Sequence, residues 1–156
     1  MAPTRATLAV SATAAYSGDE RSDAIRVLAD LGHESLLRIF AVQDATVYGE
    51  ASHIKALCAD LTKMGFREIA VRVAKQASYN GIYFWNYLYP TTTVPAYLGH
   101  GIAPDSYYVH GIIRQETEFD PTAVSAPGAR GYMQVMPSSG RIAAQQAGLD
   151  FRINDL

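Results

Sequence analysis

Between residues 20 and 80 the apolar side chains recur three and four positions apart, and glycine closes several of the runs. That spacing belongs to a helix with one buried face, and no strand reproduces it. "SDAIRVLADLG" sets Ile25, Leu28 and Ala29 on one face and stops at Gly32. "HESLLRIFA" carries Leu36, Leu37, Phe40 and Ala41. "EASHIKALCADLTKMG" carries Ile54, Leu57, Cys58, Leu61 and Met64 and stops at Gly65. "FREIAVRVAKQAS" carries Ala70, Val73, Ala74 and Ala77, small residues that let helices approach closely. The glycines suit the position just past a helix, where φ is often positive. Strict alternation over a strand length is missing apart from weak hints near 91–98, so the chain reads as all-α. Gly32 and Gly65 lie 33 residues apart and each separates a helix pair. Two readings fit: consecutive helix–turn–helix repeats of a solenoid, or two unrelated hairpins.

With 156 residues, 49% of them apolar, one domain or a small domain plus a fragment can bury a core. Lys and Arg number 13 against 15 Asp and Glu, a net charge of −2. There is no electrostatic case for nucleic acid. The lone cysteine, Cys58, excludes an internal disulfide, and its helical spacing with Ile54, Leu57 and Leu61 marks a core thiol. No apolar run approaches the roughly 20 residues of a membrane span. The opening "MAPTRATLAVSATAAYSG" is a poor secretory signal, because its apolar run is short and broken by Ser and Thr. His33, His53, His100 and His110 show no ligand spacing with one another or with Cys58, so no metal site is expected.

Residues 79–98 change character, with six aromatics between Tyr79 and Tyr89 and then threonines and prolines. They fit either a junction that packs one layer on another or a surface that stacks on sugar rings. Asp105 is then a candidate N-cap for a helix over 106–118, which should end before the Asp120–Pro121 step. "TAVSAPGARG" is loop, "YMQVM" a short helical turn cut by Pro137, and "SSGRIAAQQAG" a helix with Ile142 and Ala143 inward and Gly148 as its stop.

Within that first helix, Val109, Ile112, Ile113 and Glu116 fall on one apolar face, while Glu118 points away as the solvated partner. A carboxyl on an apolar face loses hydration of its charged form and keeps its proton, as a general acid for glycosidic cleavage requires. The competing reading is a buried glutamate paired with a base. No second acid is well placed, so a two-carboxylate glycosidase is not supported.

The stretch "IIRQETEFDPTAVSAPGARGYMQVMPSS" closely resembles the soluble lytic murein transglycosylase family, whose catalytic domain has a lysozyme-like fold. The family's Arg-Gln-Glu-Ser run stands here as Arg114-Gln115-Glu116-Thr117. Its Ser-x-x-Gly-Ala-x-Gly loop spans Ser125 to Gly131, and its Gly-Leu-Met-Gln-x-Met-Pro run spans Gly131 to Pro137. The hairpins resemble, more weakly, the α-solenoid that precedes this domain in longer members. The resemblance implies residues 20–80 as solenoid-type hairpins and 82–156 as the first half of a lysozyme-like domain. It implies Glu116 as the catalytic acid/base, with Ser125, Gln134 and Met136 lining the glycan cleft.

The implied reaction cuts the β-1,4 bond between N-acetylmuramic acid and N-acetylglucosamine in peptidoglycan, leaves a 1,6-anhydro end and needs no cofactor. The implied place is the periplasm or cell envelope, and the implied partner is the glycan strand. Two departures stand out. Thr117 replaces serine but keeps a hydroxyl. The family's later Ala-Tyr-Asn motif is absent, since "FRINDL" falls where its next helices begin; this reads as a C-terminal truncation. The alternatives are a hydrolytic muramidase and a non-catalytic glycan-binding or interaction module.

Overall fold

The computed structural model of the chain describes residues 20–156 apart from 95, 98 and 100. The opening stretch read against a secretory signal, and His100, lie outside the described residues. Among the described residues the architecture is all-α, with isolated bridges in place of strands. The helices are α1 (Glu20–Asp30), α2 (Glu34–Val47), α3 (Ala51–Lys63), α4 (Arg67–Tyr79), α5 (Trp85–Leu88), α6 (Ser106–Thr117) and α7 (Pro137–Gln146), with a 3₁₀ turn at Ile153–Asp155. Two compact units meet in sequence at Pro90 and Thr91.

In the first unit α1 and α2 form one hairpin and α3 and α4 another. Both joints close in the same way. The His33 amide reaches back to the Leu28 carbonyl at 3.0 Å, and the Phe66 amide to the Leu61 carbonyl at 2.8 Å. Gly32 (φ 71°) and Gly65 (φ 92°) supply the left-handed residue that this Schellman closure needs. The same pair of backbone bonds recurs at Gly81 and Gly148.

Helix α4 is the hub of this unit and packs on α2, α3 and α5. Its Ala70, Val73, Ala74 and Ala77 are all buried, so the small residues do set a close approach. Ile25, Leu37, Ala41, Ile54, Leu57 and Leu61 complete the core from the other helices. Leu36 and Phe40 were expected on that face with Leu37 and Ala41 but are exposed. The α2 stripe is wider than the surface available to cover it. Cys58 is a core thiol: fully buried, 3.6 Å from the Ala70 carbonyl, and pushed up to about 12 by desolvation.

A polar tie that local spacing does not announce also crosses the unit. The Asp44 carboxylate on α2 is buried, lies 2.5 Å from His53 Nε2 on α3 and 3.7 Å from Arg21 Nη1 on α1. A charge withdrawn from water in this way is held by its partners. After α4, the 82–88 segment folds back on the same core: Leu88 is buried, and Ile82, Phe84 and Tyr87 pack against it. No helix among the described residues is long and apolar enough to cross a membrane.

Candidate active site

The second unit is built around α6. Asp105 caps it as the sequence indicates, its Oδ1 accepting from the Tyr107 amide at 2.7 Å. The helix stops at Thr117. Glu118 (φ 55°) and Phe119 (φ 68°) then both adopt the left-handed region, rare for residues with a side chain. Phe119 is 2% exposed and lies against the His110 ring, with centroids 6.2 Å apart, so burial holds the reversal. Asp120 then holds the turn. Its Oδ1 accepts from the Thr122 amide at 2.9 Å and the Thr122 hydroxyl at 2.8 Å.

His110 has a structural role that spacing could not show. Nδ1 is 2.5 Å from the Ser106 carbonyl and Nε2 is 2.8 Å from the Thr92 amide. The tautomer with its proton on Nδ1 donates to the first and accepts from the second. The ring thereby clips residue 92 onto the side of α6.

The two glutamates are placed differently from the expectation. Ile113 and Thr117 are the buried residues of α6, Val109 and Ile112 are half-buried, and Glu116 is exposed. Glu118 is the more enclosed of the pair, its side chain 13% exposed and 3.6 Å from Arg114 Nη1. The reason is angular. At 3.6 residues per turn Glu116 sits about 60° around the helix from Ile113, on the side away from Thr117. The fully buried strip runs from Ile113 through Thr117, and Glu116 lies outside it on the flank where Val109 and Ile112 are only half-buried. The burial invoked for its carboxyl is therefore absent.

Glu116 instead lines an open pocket of about 310 Å³ along α6, with Tyr107, Tyr108, Gly111, Ile112 and Gln115. Tyr107 and Tyr108 are largely exposed beside it. Apolar walls with a carboxylate and an amide are suitable chemistry for a ring-shaped polar ligand. Ser125, Gln134 and Met136 do not line this pocket.

Those three belong to a loop knot over 123–136. The Ser125 amide donates to the Ala129 carbonyl at 2.9 Å, the Gly128 amide to the Ser125 carbonyl at 2.9 Å, and the Ala129 amide to Ser125 Oγ at 2.9 Å. The Gln134 side chain (backbone φ 50°) donates to the Ala123 and Gly131 carbonyls at 3.2 and 3.1 Å. Arg130 bridges both Val124 and Val135. The turn expected to be helical at "YMQVM" is thus a bridged loop, because Arg130 and Val135 satisfy each other's amide and carbonyl at 3.0 Å. Pro137 opens α7 rather than cutting a turn, with Met136 as the N-cap. On α7, Gly140 is the buried residue, while Ile142 and Ala143 face out.

Thr117 joins helix and knot. Its hydroxyl lies 3.3 Å from the Ile113 carbonyl and 2.9 Å from the Tyr132 carbonyl, at 6% exposure. The residue beside Glu116 thereby fastens the loop that carries Gln134 to α6. Among the described residues no three His, Cys, Asp or Glu side chains converge as metal ligands would.

A comparison with curated proteins returns no match. Residues 102–153, the segment running through α6, the loop knot and α7, match the family model of the transglycosylase SLT domain.

Proposed function

We propose that the chain acts on peptidoglycan in the cell envelope as a lytic transglycosylase, with Glu116 as its single acid/base. The observation that carries this reading is the placement of Glu116 inside the matched segment and on the wall of the α6 pocket. A strand lying over Tyr108 and Ile112 would take water away from the carboxyl, supplying the desolvation that the free chain lacks.

The protonated carboxyl gives its proton to the glycosidic oxygen as the bond to C1 of the N-acetylmuramic residue breaks. The acetamido oxygen of that residue stabilises the charge at C1, so no second protein carboxylate is needed. The Glu116 carboxylate then takes the proton from the C6 hydroxyl, and O6 closes on C1 as a 1,6-anhydro ring. The proton returns to Glu116 and no water is consumed. Ser125, Gln134 and Met136 act as glycan-cleft residues on the loop that Thr117 fastens. Residues 20–80 are read as solenoid-type hairpins, in keeping with the equivalent closures at Gly32 and Gly65.

Digestion of purified sacculi tests the reaction by mass. Anhydro-muropeptides, lighter by one water than hydrolysis products, are expected. Hydrated ends would make the chain a muramidase, and no products at all would leave a binding module.

A further inference from the structure

The first unit carries an aromatic surface that the reaction does not use. Helix α5 divides its aromatic run between two sides. Phe84, Tyr87 and Leu88 turn into the core, while Tyr83, Trp85 and Tyr89 stay 54%, 63% and 59% exposed. These three outward rings are ordered against each other. Tyr83 and Trp85 lie 5.4 Å apart at an interplanar angle of 11°, and Trp85 and Tyr89 6.2 Å apart at 18°. Three large near-parallel rings left in water on a segment anchored from beneath form a built surface, unlike apolar residues scattered singly.

Charge narrows what could lie on it. From Gln76 to Pro104 the sequence has no Asp, Glu, Lys or Arg. A phosphate backbone would need cations there, and a charged peptide would need an opposite charge. Flat π-faces, on a segment that also exposes Asn80 and Asn86, suit the C–H faces of neutral sugar rings bearing N-acetyl groups.

We propose that Tyr83, Trp85 and Tyr89 form an ancillary glycan-binding platform that holds a β-linked N-acetylhexosamine strand on the helical-hairpin unit. The identity of the strand rests on the peptidoglycan reading above. The platform itself rests on ring geometry and neutrality.

Trp85 is the chain's sole tryptophan, so its emission reports this surface directly. The intact chain is titrated with a soluble oligomer of β-1,4-linked N-acetylglucosamine. A saturable change in Trp85 emission is expected, unchanged in Glu116→Gln. Tyr89→Ser and Tyr83→Ser, both at exposed positions, should each weaken the midpoint by about threefold to tenfold with far-ultraviolet circular dichroism retained. A silent Trp85, or midpoints unmoved in both variants, overturns the platform. So does an emission change that follows protein concentration without sugar and accompanies a doubled mass in light scattering, since the occupant is then a second copy. Saturable binding without anhydro products would remove the reaction and keep the platform; anhydro products with a silent Trp85 would do the reverse.

Discussion

Replacing Thr117 by valine removes one hydroxyl and leaves the shape of the side chain nearly unchanged. Two carbonyl groups lose a donor. Ile113 keeps its place in the α6 ladder, but the Tyr132 carbonyl, 2.9 Å from the hydroxyl, loses a bond that spans 15 residues of sequence. At 6% exposure Thr117 leaves water little access, so the loss is about 1–2 kcal/mol. That corresponds to a rise of roughly 5- to 30-fold in opening of the loop. Native-state hydrogen exchange at the Gln134 and Val135 amides reads it, because these donate to the Gly131 and Arg130 carbonyls at 3.1 and 3.0 Å. Thr117→Ser is the control. It loses a methyl worth about 0.8 kcal/mol across the unit but keeps the tie, so these two amides should not be singled out. Exchange in the valine variant that rises no more there than elsewhere in the unit would refute the fastening role.

Two further outcomes follow from packing and burial. Gly131 holds φ 68°, and a Cβ added there would run into the backbone oxygen of Leu156. Gly131→Ala should cost at least about 1–2 kcal/mol from the left-handed backbone alone, seen as a lower unfolding midpoint for residues 91–156; an unchanged midpoint would refute the strain assigned to this position. Cys58 should resist a disulfide reagent at pH 8 while the chain is folded and react once it is denatured, because burial moves its thiol from 9.0 to about 12. The folded pKa is the raised one, so this group's contribution to stability is complete below pH 9 and is lost as pH climbs toward 12. Prompt labelling of the folded chain would contradict it.

What could be read in advance was local. The hairpin joints at Gly32 and Gly65 follow from helical spacing and one glycine each, and the Asp105 cap from one side chain before a helix. The orientation of each helix was less legible, since an apolar stripe fixes direction only to within its own width. Leu36, Phe40, Ile142 and Glu116 all lie at the margins of such stripes, and tertiary partners decided which margin was covered. Polar ties between distant residues left no periodic signal. Asp44 meets His53 and Arg21, His110 meets Thr92, and Thr117 meets Tyr132 across turns that spacing does not describe. The loop motif from Ser125 to Pro137 was visible as a resemblance, but its bridged geometry, with Gln134 in the left-handed region, was not.

The most direct measurement concerns the Glu116 carboxyl. Glu116→Gln keeps the size of an exposed side chain and removes only its ability to give and take a proton, so folding should be untouched. Mass spectrometry of sacculi treated with the two proteins should find anhydro-muropeptides released by the parent chain and a loss of about 10²- to 10⁴-fold in the variant. Release by the glutamine variant at the parent rate would contradict the assignment of proton transfer to this residue.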